Sequence, residues 1–135
     1  MGRTEVILVD THVVAWLAFE PKQISRKAKA AIDAARGNAE GLAISDITLV
    51  ELATLVAKGR VALRVSLESF LEEIESRFAV LPMNARSCAR VMGLPSTFSK
   101  DPADRIITAT ALVAGIALIT ADRAIRNSRV VHTIW

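Results

Sequence analysis

Apolar positions along the chain fall into two kinds of run. Val6-Ile7-Leu8-Val9, Leu42-Ala43-Ile44-Ser45, Phe78-Ala79-Val80-Leu81 and Ile116-Ala117-Leu118-Ile119-Thr120 are short and continuous, the pattern of strands covered on both faces in a parallel sheet. Val130-Val131-His132-Thr133-Ile134 predicts a fifth. Between them the spacing changes to three and four residues, as in Leu49, Leu52, Ala53 and Val56 or Leu67, Phe70, Leu71 and Ile74, which predicts helices with one apolar side. Asp10 or Thr11, Ser25, Ser45 or Asp46, Ser66 and Asn84 supply the caps that open these helices, and Pro21, Gly37, Gly59 and Gly93 close them. Strands alternating with helices predict an α/β protein: a three-layer α/β/α sandwich around a mainly parallel sheet of four to five strands.

One helix departs from the ordinary pattern. From Asp101 to Val113 the body is almost wholly apolar, with Ala and Thr where another element must come close, yet its first turn carries Asp101, Pro102 and Asp104. Asp101 before Pro102 is what a helix start requires, an N-cap acceptor followed by a residue that loses no hydrogen bond. Asp104 lies one turn further in, next to the core residues Ile106 and Ile107. Capping does not account for it.

Composition adds limits. A chain of 135 residues with 52% hydrophobic and 4% aromatic residues is long enough for one aliphatic core. No apolar run reaches the roughly 18 residues of a membrane span, and the first residues lack the order of a signal peptide, so a cytoplasmic location is expected. The lone Cys88, placed with Ala85, Ala89 and Met92, is expected to be a small core residue. Seventeen Lys and Arg against 14 Asp and Glu give a formal charge of +3, which favours polyanionic partners. If several acids are gathered at one place, the remaining surface is more basic still. The Glu68, Glu72, Glu73 and Glu75 face of the fourth helix is expected to be solvated.

Topology says where the acids go. Residues just past parallel strands, and the first turns of the helices that follow, share the carboxyl edge of the sheet, where such folds bind ligands. Asp10 and Asp122 follow strands directly, Glu51 lies near the start of the helix after the second strand, and the helix of Asp104 must run back against the fourth. Asp10, Glu51, Asp104 and Asp122 should therefore meet. Two ionised groups at about 4 Å repel by roughly 4 kcal/mol at an effective dielectric near 20, so a cation is expected among them. An all-oxygen set suits Mg²⁺ or Mn²⁺ better than zinc, and its natural chemistry is phosphodiester hydrolysis. Arg105 and Arg123, each beside a site acid, are candidates for contact with phosphate.

In this order and at these intervals, Val9-Asp10-Thr11-His12, Ser45-Asp46-Ile47-Thr48-Leu49-Val50-Glu51-Leu52 with the Lys58-Gly59-Arg60 turn, Asp101-Pro102-Ala103-Asp104-Arg105-Ile106-Ile107 and Leu118-Ile119-Thr120-Ala121-Asp122 resemble a PIN-domain ribonuclease. More narrowly, they resemble a VapC-type toxin of a bacterial or archaeal toxin–antitoxin pair. The resemblance covers essentially the whole chain, 1–135, as one PIN-like domain. It implies an endoribonuclease dependent on Mg²⁺ or Mn²⁺, with Asp10, Glu51, Asp104 and Asp122 as the catalytic and metal-binding quartet and Thr120 as a supporting hydroxyl. Asp101, three residues before Asp104, has a lesser claim on the metal. The resemblance also implies a homodimer, a cognate antitoxin that covers the site, and structured RNA such as tRNA or rRNA as substrate. The apolar Trp16, Leu17 and Phe19 are expected to help receive the antitoxin.

Two other readings are weighed. A haloacid dehalogenase-type phosphatase would use Asp10 as a nucleophile, but needs an acid two residues on, where His12 stands. A non-catalytic basic RNA-binding module would have to rely on phosphate contacts, because aromatic residues for stacking are few.

Overall fold

A computed structural model describes residues 6–37 and 41–135; residues 1–5, on which the expectation of no signal peptide rests, lie outside them. The elements alternate as expected: β1 (Ile7–Val9), α1 (Thr11–Phe19), a single 3-10 turn (Pro21–Gln23), α2 (Arg26–Arg36), β2 (Leu42–Ser45), α3 (Asp46–Ala57), α4 (Leu67–Arg77), β3 (Ala79–Leu81), α5 (Ala85–Met92), α6 (Pro102–Ala114), β4 (Ala117–Ile119), α7 (Arg123–Ser128) and β5 (Thr133–Ile134). The five strands form one sheet in the order β3-β2-β1-β4-β5, and every pair is parallel. The last strand is shorter than the 130–134 run suggests.

Alternation along the strands separates the two sides of the core. Ile7, Val9, Leu42, Ile44 and Ile119 face one side and pack with α1, α2, α3 and α4 through Val13, Val14, Ile32, Leu52, Phe70 and Ile74. Leu8, Ala43 and Leu118 face the other and pack with α6 and α7 through Ile107, Ala111 and Ile125, closed by Leu94 and Phe98 of the loop before α6. This is the three-layer sandwich. Helix α6 buries Ala103, Ile107, Thr108, Ala109, Thr110 and Ala111; its small side chains let the helix approach the strands closely. Gly115 ends it with φ 68°, a left-handed turn that a side chain would strain, and the chain drops straight into β4.

The expectation for Cys88 is corrected. It is exposed, as are Ala85, Ala89 and Met92, because α5 turns Ser87 inward. Ser87 and Asn84 form a reciprocal cap that fixes the phase of this short helix, and its few apolar residues do not override it. The Glu68, Glu72, Glu73 and Glu75 side of α4 is exposed as expected.

Candidate active site

The strand order reverses between β1 and β4, because the chain lays down β2 and β3 on one side of β1 and then returns to its other side. At such a switch point the connections leave in opposite directions and open a crevice at the carboxyl ends. Asp10 follows β1 and Thr120 follows β4, so the two stand on its two lips. The Thr120 hydroxyl donates to Asp10 Oδ2 at 2.7 Å, and the Thr11 amide donates to Oδ1 at 2.8 Å. Asp10 is only 6% exposed, so both its oxygens are fixed away from bulk water.

Thr11 serves a second acid. Its hydroxyl donates to Glu51 Oε1 at 2.5 Å and lies 3.0 Å from Thr48 Oγ1; with its own proton directed to Glu51, Thr11 accepts from Thr48. One residue at the head of α1 thus orients Asp10 through its backbone and Glu51, on α3, through its side chain. Asp104, on the first turn of α6, accepts from Ser99 Oγ at 2.8 Å. Asp122 caps α7 by accepting from the Ile125 amide at 2.9 Å, and its own amide donates to Thr120 Oγ1 at 3.0 Å. Asp101 caps α6, accepting from the Asp104 amide at 3.3 Å, and is exposed.

The acids feel one another. Burial pushes the Asp10 carboxyl above its ordinary range, opposed by the Thr120 hydrogen bond, and the Asp122 charge adds to the rise. Burial likewise raises Glu51, with Asp10 and Asp101 adding repulsion. Asp104 is pushed up to about 6, first by burial and then, against the Ser99 bond, by Asp101, Asp10 and Asp122. Burial is the first cause in all three, and neighbouring carboxylates add to it. Among the described residues, no three His, Cys, Asp or Glu side chains form a ready-made metal-binding group; the acids share one edge, each held by its own local donor.

The two arginines part company. Arg105 donates from Nη1 to the Ser99 carbonyl and from Nη2 to the Val91 carbonyl, both at 3.0 Å, so it ties the loop before α6 to the end of α5. Arg123, at the head of α7, is exposed and free of ion pairs among the described residues.

The family model for the PIN domain matches residues 7–130. The chain belongs to the PIN-domain family. This PIN domain is 35% identical over 131 residues to ribonuclease VapC22 of Mycobacterium tuberculosis (strain ATCC 25618 / H37Rv), covering 96% of the chain and 98% of that relative. Among solved structures it is similar to VapBC2 from Rickettsia felis bound to a DNA fragment from its promoter, with a TM-score of 0.73 at 16% identity over 95% of this chain and 96% of that one. It is also similar to FitAcB from Neisseria gonorrhoeae, with a TM-score of 0.68 at 25% identity over 95% and 96% of the two chains.

Sequence reasoning about this PIN domain passed over the hydroxyls of Thr11 and Ser99, which hold Glu51 and Asp104, and that of Thr48, which holds Thr11. Thr11 was legible only as a possible cap, since its bond to Glu51 spans 40 positions. Ser99, two residues before Asp101, carried a local signal in its bond from the Asp101 amide at 3.2 Å, a turn typical of Ser before an Asp cap.

Proposed function

We propose that the protein is a divalent-metal-dependent endoribonuclease, the toxin of a toxin–antitoxin pair, which cuts structured RNA such as tRNA or rRNA. The reading is supported by the acids at the carboxyl edge of the sheet: Asp10, Glu51 and Asp104 are each raised above their ordinary pKa by burial first, and then by neighbouring carboxylates that include Asp122. An all-oxygen set fits Mg²⁺ or Mn²⁺. Asp10, Glu51, Asp104 and Asp122 would hold the ion, with Asp101 at the margin. When bound, it supplies positive charge to the phosphate oxygens and acidifies the attacking water.

The chain's own residues set the geometry. Thr120 and the Thr11 amide fix Asp10, the Thr48–Thr11 pair fixes Glu51, and Ser99 fixes Asp104. Such outer partners keep ligand oxygens oriented. Arg123, exposed at the head of α7, would meet a phosphate, whereas Arg105 acts on the loop.

The antitoxin reading has its own support. A hollow of about 430 Å³ opens between α1, α2 and α4, walled by Leu17, Phe70, Ile74 and Phe78, with Arg36 at its margin. It suits an amphipathic helix carrying an acidic residue. Of the expected cluster, Leu17 lines this hollow, while Trp16 stacks near Trp135 at 5.7 Å and Phe19 near Phe70 at 5.4 Å. For the homodimer, Ala85, Cys88, Ala89 and Met92 form an exposed stripe on α5, with Met92 79% exposed, and a second copy would cover it.

The test is cleavage of RNA by the purified protein with Mg²⁺ or Mn²⁺. EDTA should stop it, Asp10→Asn and Asp104→Asn should abolish it with the fold intact, and expression should be toxic unless an adjacent small gene is co-expressed. Undiminished cleavage by both variants overturns the site assignment.

A further inference from the structure

We propose that the groove between α1 and α3 is a channel for the RNA strand beside the phosphodiester to be cut, with Lys58 and Arg60 as ligands for its backbone phosphates. The inference rests on the ribonuclease reading above and says where the substrate runs.

Glu51, Thr54, Leu55 and Lys58 recur at three- and four-residue spacing, so they form one stripe along α3. That stripe and His12 of α1 line a groove of about 340 Å³. It begins at Glu51, inside the acidic cluster, and ends on cations. The end is built by backbone. Gly59, with φ 72°, takes the left-handed conformation after the helix, and the Arg60 amide folds back to the Leu55 carbonyl at 3.0 Å while the Gly59 amide reaches Val56 at 3.0 Å. This closure turns the chain back so that Arg60 joins Lys58 on the groove wall.

Charge decides the occupant. The ion pairs among the described residues are Lys29–Asp33 and Arg77–Glu73, so neither Lys58 nor Arg60 is neutralised, and Glu51 is the one carboxylate on the groove walls. Lys58 lies about 10 Å along the helix from Glu51 at 1.5 Å per residue, the length of about three stacked nucleotides at about 3.4 Å each. A strand whose scissile phosphate sits at the acids therefore brings its next phosphates to the cations. His12 faces this path with its ring 6.4 Å from that of Trp16, a surface for an unstacked base.

The experiment compares binding of a fluorescein-labelled single-stranded RNA by cleavage-dead Asp10→Asn protein with and without Lys58→Ala/Arg60→Ala, across a salt series, beside metal-dependent cleavage by the unaltered protein. The double substitution should weaken binding about tenfold and lower the salt slope by about 1.4, two phosphates at about 0.7 each. In the active protein it should raise KM and leave kcat within about twofold. Lys22→Ala/Lys27→Ala, which removes equal charge beyond the far end of α1, should change neither quantity. Unchanged affinity and slope, in a protein that cleaves, overturn the channel while the ribonuclease reading stands. Loss of antitoxin binding without loss of RNA binding assigns the groove to a protein tail and also overturns it. Absence of cleavage by the unaltered protein with every divalent metal tried overturns the ribonuclease reading and the channel with it.

Discussion

Thr120 and Asp10, 110 positions apart in the chain, are joined by a 2.7 Å hydrogen bond across the gap between β4 and β1. Thr120 is fully buried, so water cannot replace its hydroxyl. Thr120→Val is expected to lower cleavage about 10–100-fold, the usual cost of losing a partner that orients a ligand, and Thr120→Ser should restore most of it. Equal rates for all three proteins, measured at saturating RNA, would show that Asp10 does not depend on this donor.

The raised carboxyl of Asp104 predicts a dependence on pH. Between its ordinary value of 3.8 and about 6, the folded state holds more protons at this site than the unfolded chain, so its contribution to stability falls as pH rises through that window. Asp104→Asn removes the penalty. In EDTA its melting temperature should exceed that of the unaltered protein at about pH 7, and the gap should shrink towards about pH 4.5. Mg²⁺ should raise the melting temperature of the unaltered protein and leave that of Asp104→Asn nearly unmoved. A gap that does not vary with pH would refute the burial account.

Leu17 lines the hollow between α1, α2 and α4 and is only half-buried. Leu17→Asp should therefore fold normally, retain RNA cleavage and escape neutralisation by the antitoxin. Calorimetric titration of the two proteins checks it: an affinity unchanged by the charge places the antitoxin elsewhere.

Met92 protrudes from the α5 stripe. Met92→Glu should shift the protein from dimer to monomer in sedimentation velocity without lowering its melting temperature at low concentration. A dimer that persists would assign the interface to another face.

Leu8 is fully buried on the middle strand, against α6. Leu8→Ala should cost about 2–5 kcal/mol, the transfer and cavity terms together, read from urea unfolding.

Much of this architecture was legible because both sides of the sheet are covered, which leaves continuous apolar strands, and because Asp, Ser and Asn caps mark where helices begin. That Asp10, Glu51, Asp104 and Asp122 lie towards one edge of the sheet was legible from topology, since a parallel sheet sends all its strand ends to one side. What the chain did not disclose depends on phase and on long-range pairing. The inward turn of Ser87, which leaves Cys88 outside, comes from a cap whose effect on a short helix outweighs a weak apolar stripe. The tie of Thr11 to Glu51 joins two helices that no local spacing relates. Arg105 sits beside an acid in sequence, yet its guanidinium is directed to one carbonyl of the loop before α6 and one at the end of α5, because α6 presents it to them rather than to the crevice.

That tie makes the end of α5 and the loop before α6 a single clamp. Arg105 grips Val91 at one end and Ser99 at the other, and Ser99 grips Asp104. A shift of α5, on the outer flank of the molecule, would thereby reach the orientation of Asp104, with the arginine as its pivot.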